Sequence, residues 1–156
     1  MTSASRPFLF SFETAHTEPL AFIPLGVRFY LDRCGVRLSL AQWQALPETA
    51  RASLASLEPA LDDGSARAFE DLLDVHARAH AIGVVERQSP EDVDELSSRA
   101  VPASVASQAG QHGLEAPSQA AWDGLSVAQR YALTKLARKA RRSDDFAAAT
   151  REFGLA

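Results

Sequence analysis

Apolar residues recur along this chain at helical spacing, and polar residues between them divide it into short elements. Phe69, Leu72 and Leu73 form one apolar stripe, which His76 and His80 continue. Leu133, Leu136 and Ala140 form another, opposite a run of basic residues. Phe8, Phe10 and Phe12 alternate instead. That stretch is too short to choose between an extended segment and an irregular arm that plugs aromatics into a core. No other segment reads as a strand ladder, so the expected class is all-α.

Capping residues place the helices. Pro24 suits a first helical position, where its missing N–H costs nothing, and Gly35 is a left-handed stop after Cys34. Ser39 to Gln42 has the spacing of a capping box, so a second helix starts there. Pro47 opens a third, expected to reach Leu57. Asp62 to Ser65 is a turn with capping residues, followed by a longer helix through His80 that stops near Gly83. Ser89-Pro90-Glu91-Asp92 is a further start signal. A helix from Pro102 stops at Gly113, a short one carries Trp122, and Ser126 to Gln129 caps a long one expected to run through Arg142. Asp144 and Asp145 open a last helix, ending at Gly154.

The order of these signals repeats. IPLGVRFYLDRCGVRLSLAQWQALPETARASL begins at Ile23, and VPASVASQAGQHGLEAPSQAAWDGLSVAQRYAL begins at Val101. The offset is 78 residues up to Gly35 and Gly113, and 79 from Trp43 and Trp122 onward. Leu46 and Leu54 match Leu125 and Leu133. The chain therefore reads as one helical domain, 1–156, built from a duplicated three-helix unit in a pseudo-twofold arrangement. Unit one spans about 23–57, a connecting helical wall about 58–100, and unit two about 101–136 with the C-terminal helix after it. Pro24, Gly35 and Trp43, with Pro102, Gly113 and Trp122, are the expected structural anchors. Each indole buries more surface than any other side chain and pins its short helix.

Composition narrows the function. At 156 residues the chain buries roughly 68–70% of its unfolded surface without staples. The net charge of −4 argues against the whole molecule binding nucleic acid or membrane. One cysteine, Cys34, excludes an intrachain disulfide and an iron–sulfur cluster held by this chain alone. The N-terminus has no cationic start followed by a long apolar run, and no stretch approaches the roughly 20 apolar residues that span a bilayer. The expectation is a soluble, cytoplasmic protein with no membrane partner.

Four groups of residues carry candidate chemistry. His76 and His80, four apart, can share a metal, although Ala77 stands where a catalytic Glu would and no third ligand is near. More plainly, they are two half-buried histidines. Cys34 lies between Arg33 and Arg37, but a free cysteine usually acts as a small buried apolar residue. Arg28, Asp32 and Arg51 suit structural pinning, the first two at ion-pair spacing on a helix. The stretch 126–142 holds six of the chain's 16 basic residues, Arg130, Lys135, Arg138, Lys139, Arg141 and Arg142, and no acid. Such a helix, basic face outward, suits an anion or an acidic partner surface. Its plainer role is a solvated face tied to Asp144, Asp145 and Glu152.

FIPLGVRFYLDRCGVRLSLAQWQAL with Arg51 after it, WDGLSVAQRYALTKL before an acidic-Phe segment, and FSFE at 10–13 resemble the nitrate reductase-associated protein family. The likeness spans about 8–57 and 101–153, with Glu115-Ala116-Pro117 and one inserted residue departing from it in the second half. The resemblance implies a bacterial accessory protein that helps form active assimilatory nitrate reductase, an enzyme with molybdenum cofactor and an iron–sulfur cluster. It implies no reaction, cofactor or catalytic residue for this chain. The expected activity is therefore non-enzymatic docking to the reductase or its immature form. The alternatives are a nucleic-acid-binding regulator using the 126–142 helix, and a metal-binding protein using His76 and His80.

Overall fold

The computed structural model describes residues 7–15, 20–83, 85–90, 100–138 and 144–155. Eight α-helices and one two-stranded sheet occur among the described residues, so the fold is mostly helical. The chain gathers into two compact units, Met1–Leu9 with Glu13–Val93, and Phe10–Phe12 with Asp94–Ala156.

The first unit is built on α1 (Leu25–Cys34). Pro24 is its N-cap and offers no side-chain acceptor. The Glu13 carboxylate supplies one, taking the Leu25 N–H at 2.9 Å. Gly35 ends the helix at φ 69°, and its N–H returns to the Asp32 carbonyl at 3.3 Å. Ser39 then caps α2 (Leu40–Ala45) with the full box: its hydroxyl accepts from Gln42 N–H, and Gln42 accepts from Ser39 N–H, both at 3.0 Å. Pro47 opens α3 (Glu48–Ala55), shorter than its apolar pattern promised.

Asp62 caps α4 (Asp63–Ala79), the connecting wall, which packs on α1 and α3. Ala81 takes the left-handed stop of α4 at φ 47°, and Ile82 N–H bonds back to Ala77 O at 3.4 Å. Tyr30 and Phe69 meet between α1 and α4, their rings stacked at 5.1 Å, and the buried Phe29 ring meets Tyr30 edge-on at 5.0 Å.

The sheet corrects the expectation that no strands form. β1 (Val36–Arg37) pairs antiparallel with β2 (Glu86–Arg87), Val36 against Arg87. Two-residue strands about 50 positions apart leave no alternation to detect. The start signal at Ser89–Asp92 lies in part outside the described residues, since 91–99 are not described.

The second unit comprises α5 (Ala103–Gln111), α6 (Gln119–Asp123), α7 (Val127–Ala137) and α8 (Asp144–Glu152). Pro102 is the N-cap of α5, and Gly113 follows it at φ 69°. Ser126 completes a second capping box with Gln129, at 2.9 and 3.1 Å. Helix α7 packs between α5 and α8 and buries Ala128, Tyr131, Ala132, Leu133, Thr134, Leu136 and Ala137. A helix covered on two sides has no continuous polar face, which differs from the amphipathic helix expected through Arg142. The described helix ends at Ala137 with Arg138 as its cap.

Phe10 and Phe12 stack at 5.5 Å and meet Phe153 at 5.1 and 6.4 Å. The Ser11 and Phe12 N–H groups both donate to the Glu152 carboxylate at 3.0 Å. The opening segment is thus the irregular aromatic arm, carrying a 3-10 turn over Ser11–Ala15.

Candidate functional site

The two indoles are buried anchors, with Trp43 0% and Trp122 1% exposed. In the first unit the anchor has a polar partner. Trp43 Nε1 donates to the Leu20 carbonyl at 2.8 Å, and an Arg51 terminal nitrogen donates to the same oxygen at 2.8 Å. Two donors on one oxygen fix the approach to α1. Arg51 thus shares an acceptor with Trp43, while on α1 Arg28 is exposed and Asp32 is 9% exposed. In the second unit Trp122 and Arg130 stand at the corresponding places. There the Trp122 Nε1 is buried without a hydrogen-bond partner among the described residues, and the Nε atoms of Arg51 and Arg130 are alike in having none. The sequence held the signal for this pairing, because both Trp–Arg spacings are eight residues. Grouping Arg51 with Arg28 and Asp32, and Arg130 with the basic run, hid it.

The His76 and His80 rings lie nearly parallel on α4, centroids 6.1 Å apart. His76 is half-buried and His80 exposed. Burial, and then the neighbouring His80, hold the His76 pKa below the usual histidine value. Two imidazoles at this spacing offer at most two metal ligands, and the described residues hold no group of three or more His, Cys, Asp or Glu placed for a metal. Cys34 is half-buried and its thiol donates to Ala66 O at 3.5 Å. Burial, with Glu70 adding to it, pushes the thiol pKa up, the opposite of what a nucleophile needs.

Beside the end of α4 lies an open pocket of about 460 Å³, lined by Asp74, Arg78, Gly83 and Arg87 among others. Its arginines are already engaged, Arg78 with Asp74 at 3.2 Å and Arg87 with Glu70 at 2.6 Å.

The basic residues of 126–142 divide. Arg130 is half-buried, Lys135 is half-buried with its Nζ 6.0 Å from the Tyr131 ring centroid, and Arg138 is exposed. Lys139, Arg141 and Arg142 lie outside the described residues. Of the acids expected to balance this run, Glu152 instead binds the Ser11 and Phe12 amides.

The conserved nitrate reductase-associated protein family matches residues 9–153. The chain belongs to that family. The match runs through both units, including the Trp43–Arg51 clamp, the α7 cations and the aromatic arm. No curated protein and no solved structure matches the chain. No helix among the described residues is long and apolar enough to cross a membrane.

Proposed function

We propose that this protein is a non-catalytic accessory factor, with no cofactor of its own, that assists an assimilatory nitrate reductase by docking to it or to its immature form. The family match over 9–153 carries this, since association with nitrate reductase is what names the family. The docking residues are those of the basic run 130–142: Arg130, Lys135, Arg138, Lys139, Arg141 and Arg142. Support comes from charge segregation, because this run has no acid while the chain as a whole is at −4. The same series, an N-cap proline, a left-handed glycine, a short Trp helix and an Arg on the next helix, occurs in each unit.

A pull-down from nitrate-grown cells tests the docking face. Wild type should recover the reductase, and an Arg138→Glu, Arg141→Glu, Arg142→Glu variant should recover at least tenfold less. Equal recovery by both removes this face from the account.

A further inference from the structure

Helix α4 is 17 residues long and buries only Phe69 and Leu73. A second apolar stripe runs along it: Ala68, Leu72, Val75 and Ala79, at i, i+4, i+7 and i+11. Steps of four and three keep such residues in one line, the spacing by which one helix meets another. At 3.6 residues per turn the stripe is turned roughly 110° from the buried Phe69–Leu73 face. Ala68 and Ala79 are exposed, Leu72 is half-buried and Val75 is 59% exposed. A lone exposed valine needs no explanation, but four apolar positions in line make a face about 17 Å long.

The face is complementary to itself. Its two large residues stand at the centre and its two alanines at the ends. Positions 68 and 79, and positions 72 and 75, share one midpoint, between Leu73 and Asp74. A twofold axis at that midpoint lays a second α4 antiparallel on the first, with Leu72 against the second copy's Val75 and Ala68 against its Ala79. Such an isologous contact uses one patch twice. The charges beside the stripe obey the same symmetry. Asp71 and Arg78 lie on its flank away from the buried face, both exposed, one acidic and one basic. They do not meet within the helix: Arg78 turns to Asp74 at 3.2 Å, and Asp71 has no ion pair among the described residues. In the antiparallel pair each Asp71 stands about 3 Å along the axis from the second copy's Arg78, so an acid–base contact forms twice.

We infer that the face of α4 formed by Ala68, Leu72, Val75 and Ala79 is a homodimer interface, occupied by the same face of a second copy of this chain in antiparallel register. The charge pattern selects this occupant. A partner of uniform charge would set a like charge against either Asp71 or Arg78, whereas a second copy satisfies both. An interface made by one helix is at the small end of specific contacts, so the dimer forms reversibly at micromolar concentrations and above. It uses none of the residues of the basic run 130–142, and it stands or falls independently of the docking proposed above.

Sedimentation equilibrium of the full chain, from about 1 to about 500 µM, tests this. Wild type should pass reversibly from monomer to dimer mass. Val75→Glu should raise the dissociation constant at least tenfold, because it puts a charge at the centre of the apolar contact. Asp71→Arg and Arg78→Asp should each weaken association about tenfold, since each sets like charges against one another twice. An equimolar mixture of these two variants should associate as wild type does, because the mixed pair restores both acid–base contacts. All three side chains are exposed, and an unchanged circular dichroism spectrum shows that each variant is folded. Should Val75→Glu lose its helical signal, Val75→Gln is read in the same way. A monomer at every concentration overturns the inference. So does a dimer indifferent to the change at Val75, or a mixture that associates no better than its components.

Discussion

Tyr30 shows how much a single side chain settles in the first unit. It is 0% exposed, stacked on Phe69, and its hydroxyl both donates to Glu58 O at 2.6 Å and accepts from Ala60 N–H at 3.2 Å. Desolvation by burial raises its pKa, so the hydroxyl keeps its proton for that bond. Tyr30→Phe keeps the ring and strands both loop groups, at a cost of about 1–3 kcal/mol. Urea melts check this, and an unchanged midpoint contradicts it. His76 makes a pH prediction of definite sign. Its pKa is lower folded than unfolded, so the unfolded chain takes the proton first as pH falls below roughly 6.5. Its contribution to stability is therefore full above that value and is lost on acidification. Melts at pH 5 and pH 7 should differ less for His76→Gln than for wild type, and equal differences refute the assignment. Neither effect was visible in the sequence, where Tyr30 carried no signal and His76 read as part of a stripe, as a half-buried histidine or as a metal ligand with His80.

At the scale of elements, the glycine stops separate local from tertiary causes. Gly35 and Gly113 share φ 69°, so either Gly→Ala change carries backbone strain of about 1 kcal/mol. A Cβ on Gly113 meets nothing within 4 Å, whereas one on Gly35 would sit 2.5 Å from Gln88 O and 3.0 Å from Pro90 Cγ. Gly35→Ala should therefore destabilise well beyond Gly113→Ala in parallel denaturant melts, and equal losses would contradict the close approach at β1–β2. Ala81 inverts the case, because it already occupies the left-handed region at φ 47°. Ala81→Gly should raise stability by up to about 1 kcal/mol, read as a higher midpoint. Helix starts were legible because a cap is local: Ser39, Ser126 and Asp62 each act on a residue three places on. The sheet was not, since it depends on a distant pairing. The end of α7 was misjudged because a basic run suggested an open face, while packing against α5 and α8 buries Thr134 and Ala137.

For the molecule as a whole, the family and the helical class were legible, because a long ordered series of Pro, Gly, Trp and Arg persists through both units. The convergence of Trp43 and Arg51 on one carbonyl was not, because it needs a third segment that sequence spacing does not bring in. Docking through the basic run 130–142 should weaken with salt, as interactions between exposed charges are screened beyond about 10 Å at 0.1 M. The central claim is that this chain binds a nitrate reductase and does no chemistry itself. Calorimetric titration of the purified chain into cofactor-free and cofactor-loaded reductase tests it most directly. The account predicts saturable binding to at least one form, weakened at least tenfold by reversing Arg138, Arg141 and Arg142. No heat of binding to either form at micromolar protein, with no association by light scattering, would contradict it.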